Sequence, residues 1–158
     1  DKQGFPVGYA EEHFIERNTE IEYLVRFQNT GTDTTFNIVI KDTISMALDL
    51  ATFKEGSFSH PYTIDIDSHR VVTFTFSNIM LPDSNVNLAA SNGFVEFKIS
   101  QVTDLPLGTV INNKAAIYFD YNDPIITNET FHTLGIDFIT VSLQNPISSI
   151  LETCFFQL

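Results

Sequence analysis

The chain reads as an all-β protein, an antiparallel immunoglobulin-like sandwich of about eight strands. Three observations predict this. Apolar side chains recur with a period of two over several segments, which places them on one face of a strand. Turns bearing Asn, Gly, Asp and Pro separate those segments at short intervals. Before the last dozen residues no segment sustains a helical period.

Thr19 to Gln28 is the clearest strand. Ile21, Tyr23, Val25 and Phe27 share one face, and Glu20, Glu22, Arg26 and Gln28 the other, with Leu24 as the exception. Asn29-Thr30-Gly31-Thr32-Asp33 forms a turn, and Thr35 to Lys41 returns with Phe36, Ile38 and Ile40 inward. Leu48 to Phe53 is a short strand, followed by a polar loop from Lys54 to Pro61. Tyr62 to Ile66 and Arg70 to Phe76 make a hairpin around Asp67-Ser68-His69, with Val72, Phe74 and Phe76 on one face. After a long loop over residues 77–92, Phe94 to Ile99 turns Val95, Phe97 and Ile99 inward. Thr109 to Asp120 is one long strand, and Ile125 to Leu134 follows it. Upstream, Phe5-Pro6-Val7-Gly8-Tyr9 is a short edge strand and Ala10 to Arg17 one helical turn.

Residues 1–134 thus complete a sandwich, and residues 135–158 form an apolar tail. Ile136, Phe138 to Val141 and Leu143 supply one more strand, for the chain's own sheet or for the edge of a neighbouring copy. Ile147, Ile150, Leu151, Phe155 and Phe156 recur at near-helical spacing. A tail this apolar packs on something.

The net charge is −12, from 20 acidic and 8 basic side chains. That balance disfavours nucleic acid and anionic lipid, whose binding requires clustered Lys and Arg, and favours divalent cations. No apolar run reaches the ~20 residues that span a bilayer. The single Cys154 excludes an intrachain disulfide framework. The chain begins at Asp1 and reads as a processed product or a piece of something longer.

Several segments resemble the repeat-type Ig-like domains of large secreted or cell-surface proteins of Bacteroidota. They are Phe27-Gln28-Asn29-Thr30-Gly31-Thr32, Val39-Ile40-Lys41-Asp42-Thr43-Ile44, Ile79-Met80-Leu81-Pro82-Asp83-Ser84 and Asp104-Leu105-Pro106-Leu107-Gly108-Thr109. Asn113-Lys114-Ala115-Ala116-Ile117-Tyr118-Phe119-Asp120 and Pro124-Ile125-Ile126-Thr127-Asn128 extend the match. The resemblance spans residues 1–134 and implies a domain near the C-terminus of a long extracellular protein. Such proteins often end in a sorting domain read by the type IX secretion machinery. Here the chain departs from the pattern, since after Val141 only Gln144-Asn145-Pro146 is similar to the start of such a domain.

Chemistry concentrates at one corner. Asp120, Asn122 and Asp123 gather oxygen side chains in a tight turn closed by Pro124, a ligand set suited to Ca²⁺, with Asp42, Asp49 or Asp83 available from neighbouring loops. The alternative is a turn whose Asp and Asn bond their own backbone. Tyr62, Tyr118 and Tyr121 offer rings on which a sugar could stack. Asn113 shares a face with Ile111, Ala115 and Ile117, so its amide is buried and needs a partner, which the loop near Asn29 could supply. A Lys–Asn isopeptide bond, known in other bacterial surface Ig-like domains, would draw on Lys41 or Lys98, Asn113 or Asn128, and Glu96, although both lysines fall on the outward face. His13, His60, His69 and His132 are dispersed, lack metal-ligand spacing and read as surface or loop residues.

No nucleophile-elbow or other catalytic pattern is present. The reading is a non-enzymatic structural or adhesion module, secreted or on the cell surface, partnered by copies of itself or by neighbouring domains of a longer chain. The alternative is a carbohydrate-binding module that takes a glycan at the acidic corner and its tyrosines. A circular dichroism spectrum dominated by β-structure is expected; helix above about a quarter of residues would refute the sandwich.

Overall fold

The structure, a computed structural model, describes residues 1–136 and forms twelve strands and no helix among them. These are β1 (Lys2–Phe5), β2 (Phe14–Ile15), β3 (Glu20–Gln28), β4 (Ile38–Thr43), β5 (Leu48–Phe58) and β6 (Thr63–Ile66). They continue as β7 (Val71–Phe76), β8 (Asn92–Gln101), β9 (Val110–Asn113), β10 (Ala115–Phe119), β11 (Ile125–Ile126) and β12 (Thr130–Leu134).

The excess over eight has physical causes. β1 lies upstream of the expected edge strand, and Ala10 to Arg17 forms turns and the two residues of β2 in place of a helical turn. β5 runs on through Lys54 to Phe58, because β8 supplies ladder partners that the polar local sequence does not advertise. The long strand expected over residues 109–120 breaks at Lys114. Its first half pairs with β12 and its second half with β4, so the chain changes sheet at that residue.

One sheet has the order β1-β3-β8-β5 and a second the order β11-β10-β4-β7-β6. A smaller sheet, β2-β12-β9, contains one parallel pair, β2 with β12; the other pairs are antiparallel. Alternation is clean in β7 and β8, whose every second residue is buried. The inward rings meet across the sandwich. Phe97 of β8 lies 5.8 Å from Phe74 of β7, centroid to centroid, and Phe27 of β3 lies 5.2 Å from Phe76 of β7. Phe53 of β5 stacks on Phe97 at 5.2 Å. Phe36, expected inward, is exposed, and Thr35 is buried in its place. Gly93 faces Phe27 in the register of β3 and β8, and a Cβ there would lie 2.3 Å from the Phe27 ring. The ring occupies the space that any larger residue would need.

Asn29 organises the loop after β3. Its Nδ2 donates to the carbonyls of Asp33 and Leu81 at 2.8 and 3.0 Å, and its Oδ1 accepts from the Gly31 N–H at 3.0 Å. It makes no hydrogen bond to Asn113, which stands instead beside Asp42. Gly135 ends the described fold by donating to the Ile15 carbonyl at 3.0 Å. The strand, assembly segment and near-helical stretch expected beyond Ile136, and Cys154 with them, lie outside the described residues.

Phe97 touches Tyr23, Phe53 and Phe74, so truncation opens a cavity between the sheets. Phe97→Ala is expected to lower unfolding free energy by about 3–5 kcal/mol in a urea titration.

Candidate functional site: an acidic corner and a buried charge cluster

The acidic corner follows β10. Asp120 adopts a positive φ of 51°, a conformation that Asp tolerates better than most residues, and the chain reverses there. Its carboxylate accepts from the backbone N–H groups of Phe36 (3.1 Å) and Asn37 (2.7 Å). Its own N–H donates to the Asn37 carbonyl at 2.9 Å. Asn122 folds back on the turn, its Nδ2 donating to the Phe119 carbonyl at 2.9 Å. Two of the three residues therefore bond backbone, and Asp120 clamps the loop between β3 and β4 to the end of β10.

Asp120, Asn122 and Asp123 line one side of an open cleft of ≈ 810 Å³, with Asp33 and the fully exposed Tyr121 beside them. Asp33 was not expected there. The other expected contributors do not line the cleft. Asp42 is in the core, Asp49 accepts from the Ala51 N–H at 3.0 Å, and Asp83 accepts from the N–H groups of Asn85 and Val86 at 2.9 and 3.1 Å. Among the described residues no three His, Cys, Asp or Glu side chains gather as a metal-holding group. Of the tyrosines, Tyr62 packs edge-on against Phe74 and bonds Glu55, and Tyr118 lies under the Lys41 ammonium at 5.5 Å. Tyr121 keeps an open face.

The second cluster lies inside the sandwich. Lys2 is 1% exposed, Asp42 0% and Asn113 2%. Lys2 reaches inward from β1, and its Nζ bonds Asp42 Oδ2 on β4. The ammonium sits 4.7 Å from the Tyr23 ring centroid and 5.3 Å from that of Phe97. Burial pushes the Lys2 ammonium below its ordinary range, and Asp42 offsets this in part. Burial pushes the Asp42 carboxyl upward, opposed by Lys2 and by the Asn113 amide beside it. Asn113 stands near enough to Asp42 to favour its ionised form, yet neither its Oδ1 nor its Nδ2 meets a partner at hydrogen-bond distance among the described residues. Asp42 Oδ1 and the Tyr23 hydroxyl are likewise without one.

The Lys2 backbone is held just as closely. Its N–H donates to Asn128 Oδ1 at 2.9 Å, and Asn128 Nδ2 donates to the Lys2 carbonyl at 2.8 Å. The Asn128 side chain thus acts as a strand partner for one residue. The apolar alternation around Asn113 marks it as inward, whereas no local pattern marks Lys2 or Asp42 as buried. Lysine at the start of a chain gives no apolar period, and Asp42 reads as the close of a strand. His132, expected at the surface, is 2% exposed on β12; its Nε2 donates to the Pro6 carbonyl at 2.8 Å, and burial lowers its pKa.

The clamp geometry predicts that Asp120→Ala costs about 1 kcal/mol, because two backbone donors lose their acceptor. Melts of metal-stripped protein are expected to show the same loss in Ca²⁺ and in chelator. A loss confined to Ca²⁺-containing buffer would assign the corner to the ion.

Solved structures of bacterial surface proteins share the fold, three of them as follows. The N-terminal domain of the Streptococcus gordonii adhesin Sgo0707 superposes with a TM-score of 0.58 at 14% identity, covering 85% of this chain and 32% of that one. BcpA, the major pilin subunit of Bacillus cereus, gives 0.59 at 17%, with 85% and 39% covered. The full-length major pilin SpaD of Corynebacterium diphtheriae gives 0.55 at 14%, with 83% and 35% covered. The chain thus spans between about a third and two-fifths of the length of these proteins. No curated protein sequence matches it. Among the described residues no helix is long and apolar enough to cross a membrane. The domain of unknown function DUF7619 matches residues 2–133, nearly the whole sandwich, and the chain belongs to that family.

Proposed function

We propose that the chain is a non-enzymatic structural or adhesion module of a secreted or surface-anchored bacterial protein, folded to be rigid outside the cell. The observation that carries this reading is that the buried ion pair, the most reactive pairing among the described residues, is sealed inside the core. Lys2 and Asp42 have no side-chain exposure, so no dissolved substrate reaches them. Enzymes place such groups in clefts, where substrate can enter. The adhesin and pilin descriptions of the three similar structures support the same reading, as does the acidic composition, which keeps a surface module soluble. Its partners are neighbouring domains of a longer chain or further copies of itself.

A second reading rests on one observation. The cleft beside the acidic corner joins three carboxylates, Asp33, Asp120 and Asp123, to the open ring of Tyr121, a combination suited to a glycan. Glycan-array binding that Tyr121→Ala and Asp123→Ala abolish would support it, and binding that survives both would remove it.

Self-assembly through residues 135–158 is tested by truncation after Leu134 and light scattering. The expected outcome is a larger species for the full chain and a monomer for the truncated one. If both are monomers, assembly through the tail fails and the module is a spacer.

A further inference from the structure

We propose that Lys2 and Asn113 become joined by an intramolecular isopeptide bond, with Asp42 as the proton carrier. Three side chains with complementary chemistry meet in the core, each at most 2% exposed and each from a different strand. An amine, a carboxyl and a primary amide are the full set of groups that amide exchange needs. Lys2 bonds Asp42, and Asn113 stands against the same carboxyl. The Asn113 amide is the unexplained member, since a buried primary amide normally has its hydrogen bonds filled and among the described residues this one has neither filled.

The surroundings favour reaction over a static ion pair. The Tyr23 and Phe97 rings flank the Lys2 nitrogen and keep water from it. Burial disfavours the charged forms of both Lys2 and Asp42, so the proton moves towards the carboxylate and leaves a neutral amine, which is the nucleophilic form. The Lys2 Nζ lone pair then attacks Asn113 Cγ. The carboxyl of Asp42 gives its proton to the departing Asn113 nitrogen and takes one from the attacking amine. One C–N bond forms, from Lys2 Nζ to Asn113 Cγ, and one breaks, from Cγ to Nδ2. Ammonia leaves, and Asp42 ends as the neutral acid with which the attack began, keeping on balance the one proton it took from the Lys2 ammonium. No oxidant, reductant or other co-reactant is required.

The pairings expected from sequence are not the ones brought together. Lys41 is exposed over Tyr118, Lys98 pairs with Glu22 at 3.0 Å on the outer face, and Asn128 is committed to the Lys2 backbone. That last contact holds Lys2 in place for the reaction.

The experiment is intact-mass spectrometry of the full chain, followed by tandem analysis of a protease digest. The expected mass is about 17 Da below that of the sequence, the mass of one ammonia, with the Lys2 and Asn113 peptides recovered as one branched species. An unreduced mass overturns the proposal, and so does a deficit without the branched peptide, which would mark a cyclised asparagine elsewhere. Asn113→Ala and Asp42→Ala are each expected to restore the full mass. A deficit that persists in Asn113→Ala also overturns it. Because the wild-type measurement stands alone, the result does not depend on the variants folding. Where Asp42→Asn folds, losing a cross-link that closes a loop of on the order of a hundred residues lowers the melting temperature by about 10 °C or more.

Discussion

Phe97 on β8 and Phe74 on β7 belong to different sheets, and the contact between their rings fixes how far apart those sheets lie. The rest of the molecule follows from that spacing. Tyr23, Phe27, Phe53 and Phe76 fill the same layer, each touching a ring already in it. Sheets that face each other through side chains sit about 10 Å apart, which suits interdigitated phenylalanines without tryptophan. The aromatic layer also excludes water, and that burial drives a lysine and an aspartate towards their neutral forms. The charged cluster is thus a product of the packing.

The sequence made the interior half of this legible. Alternation in β7 and β8, and in β3 apart from the buried Leu24, named the inward residues correctly, because a period of two depends on local geometry alone. It failed where a partner far along the chain decided the outcome. The polar stretch from Lys54 to Phe58 becomes strand because β8 runs beside it, and the stretch from Thr109 to Asp120 divides at Lys114 because its halves have different neighbours. The buried cluster was half visible. Asn113 sits in an apolar period and announces its burial, whereas nothing near Lys2 or Asp42 announces theirs. A charge is buried when something beyond its own segment compensates it, and no window on a sequence contains that.

The acidic corner shows how one residue type serves two ends. Asp120 and Asn122 read as ligands because oxygen side chains cluster, and they bond backbone because a sharp reversal leaves N–H and C=O groups that need partners. The two demands select the same amino acids. Asp33 joins the corner only in three dimensions, across a loop whose shape Asn29 dictates from within.

The clasp of Asn128 on the Lys2 backbone has a mechanical meaning. Tension entering at β1 reaches Asn128 directly and passes to β12, which begins two residues later. The Pro6 carbonyl is held by His132 on that same strand, so the two outer strands of the sequence are stapled at two points. A pull between residues 1 and 134 therefore loads these staples first, while the 120 or so residues of sandwich between them stay off the line of force. A domain wired in this way transmits load like a link in a chain, short from end to end and stiff whatever the length of polypeptide folded inside it.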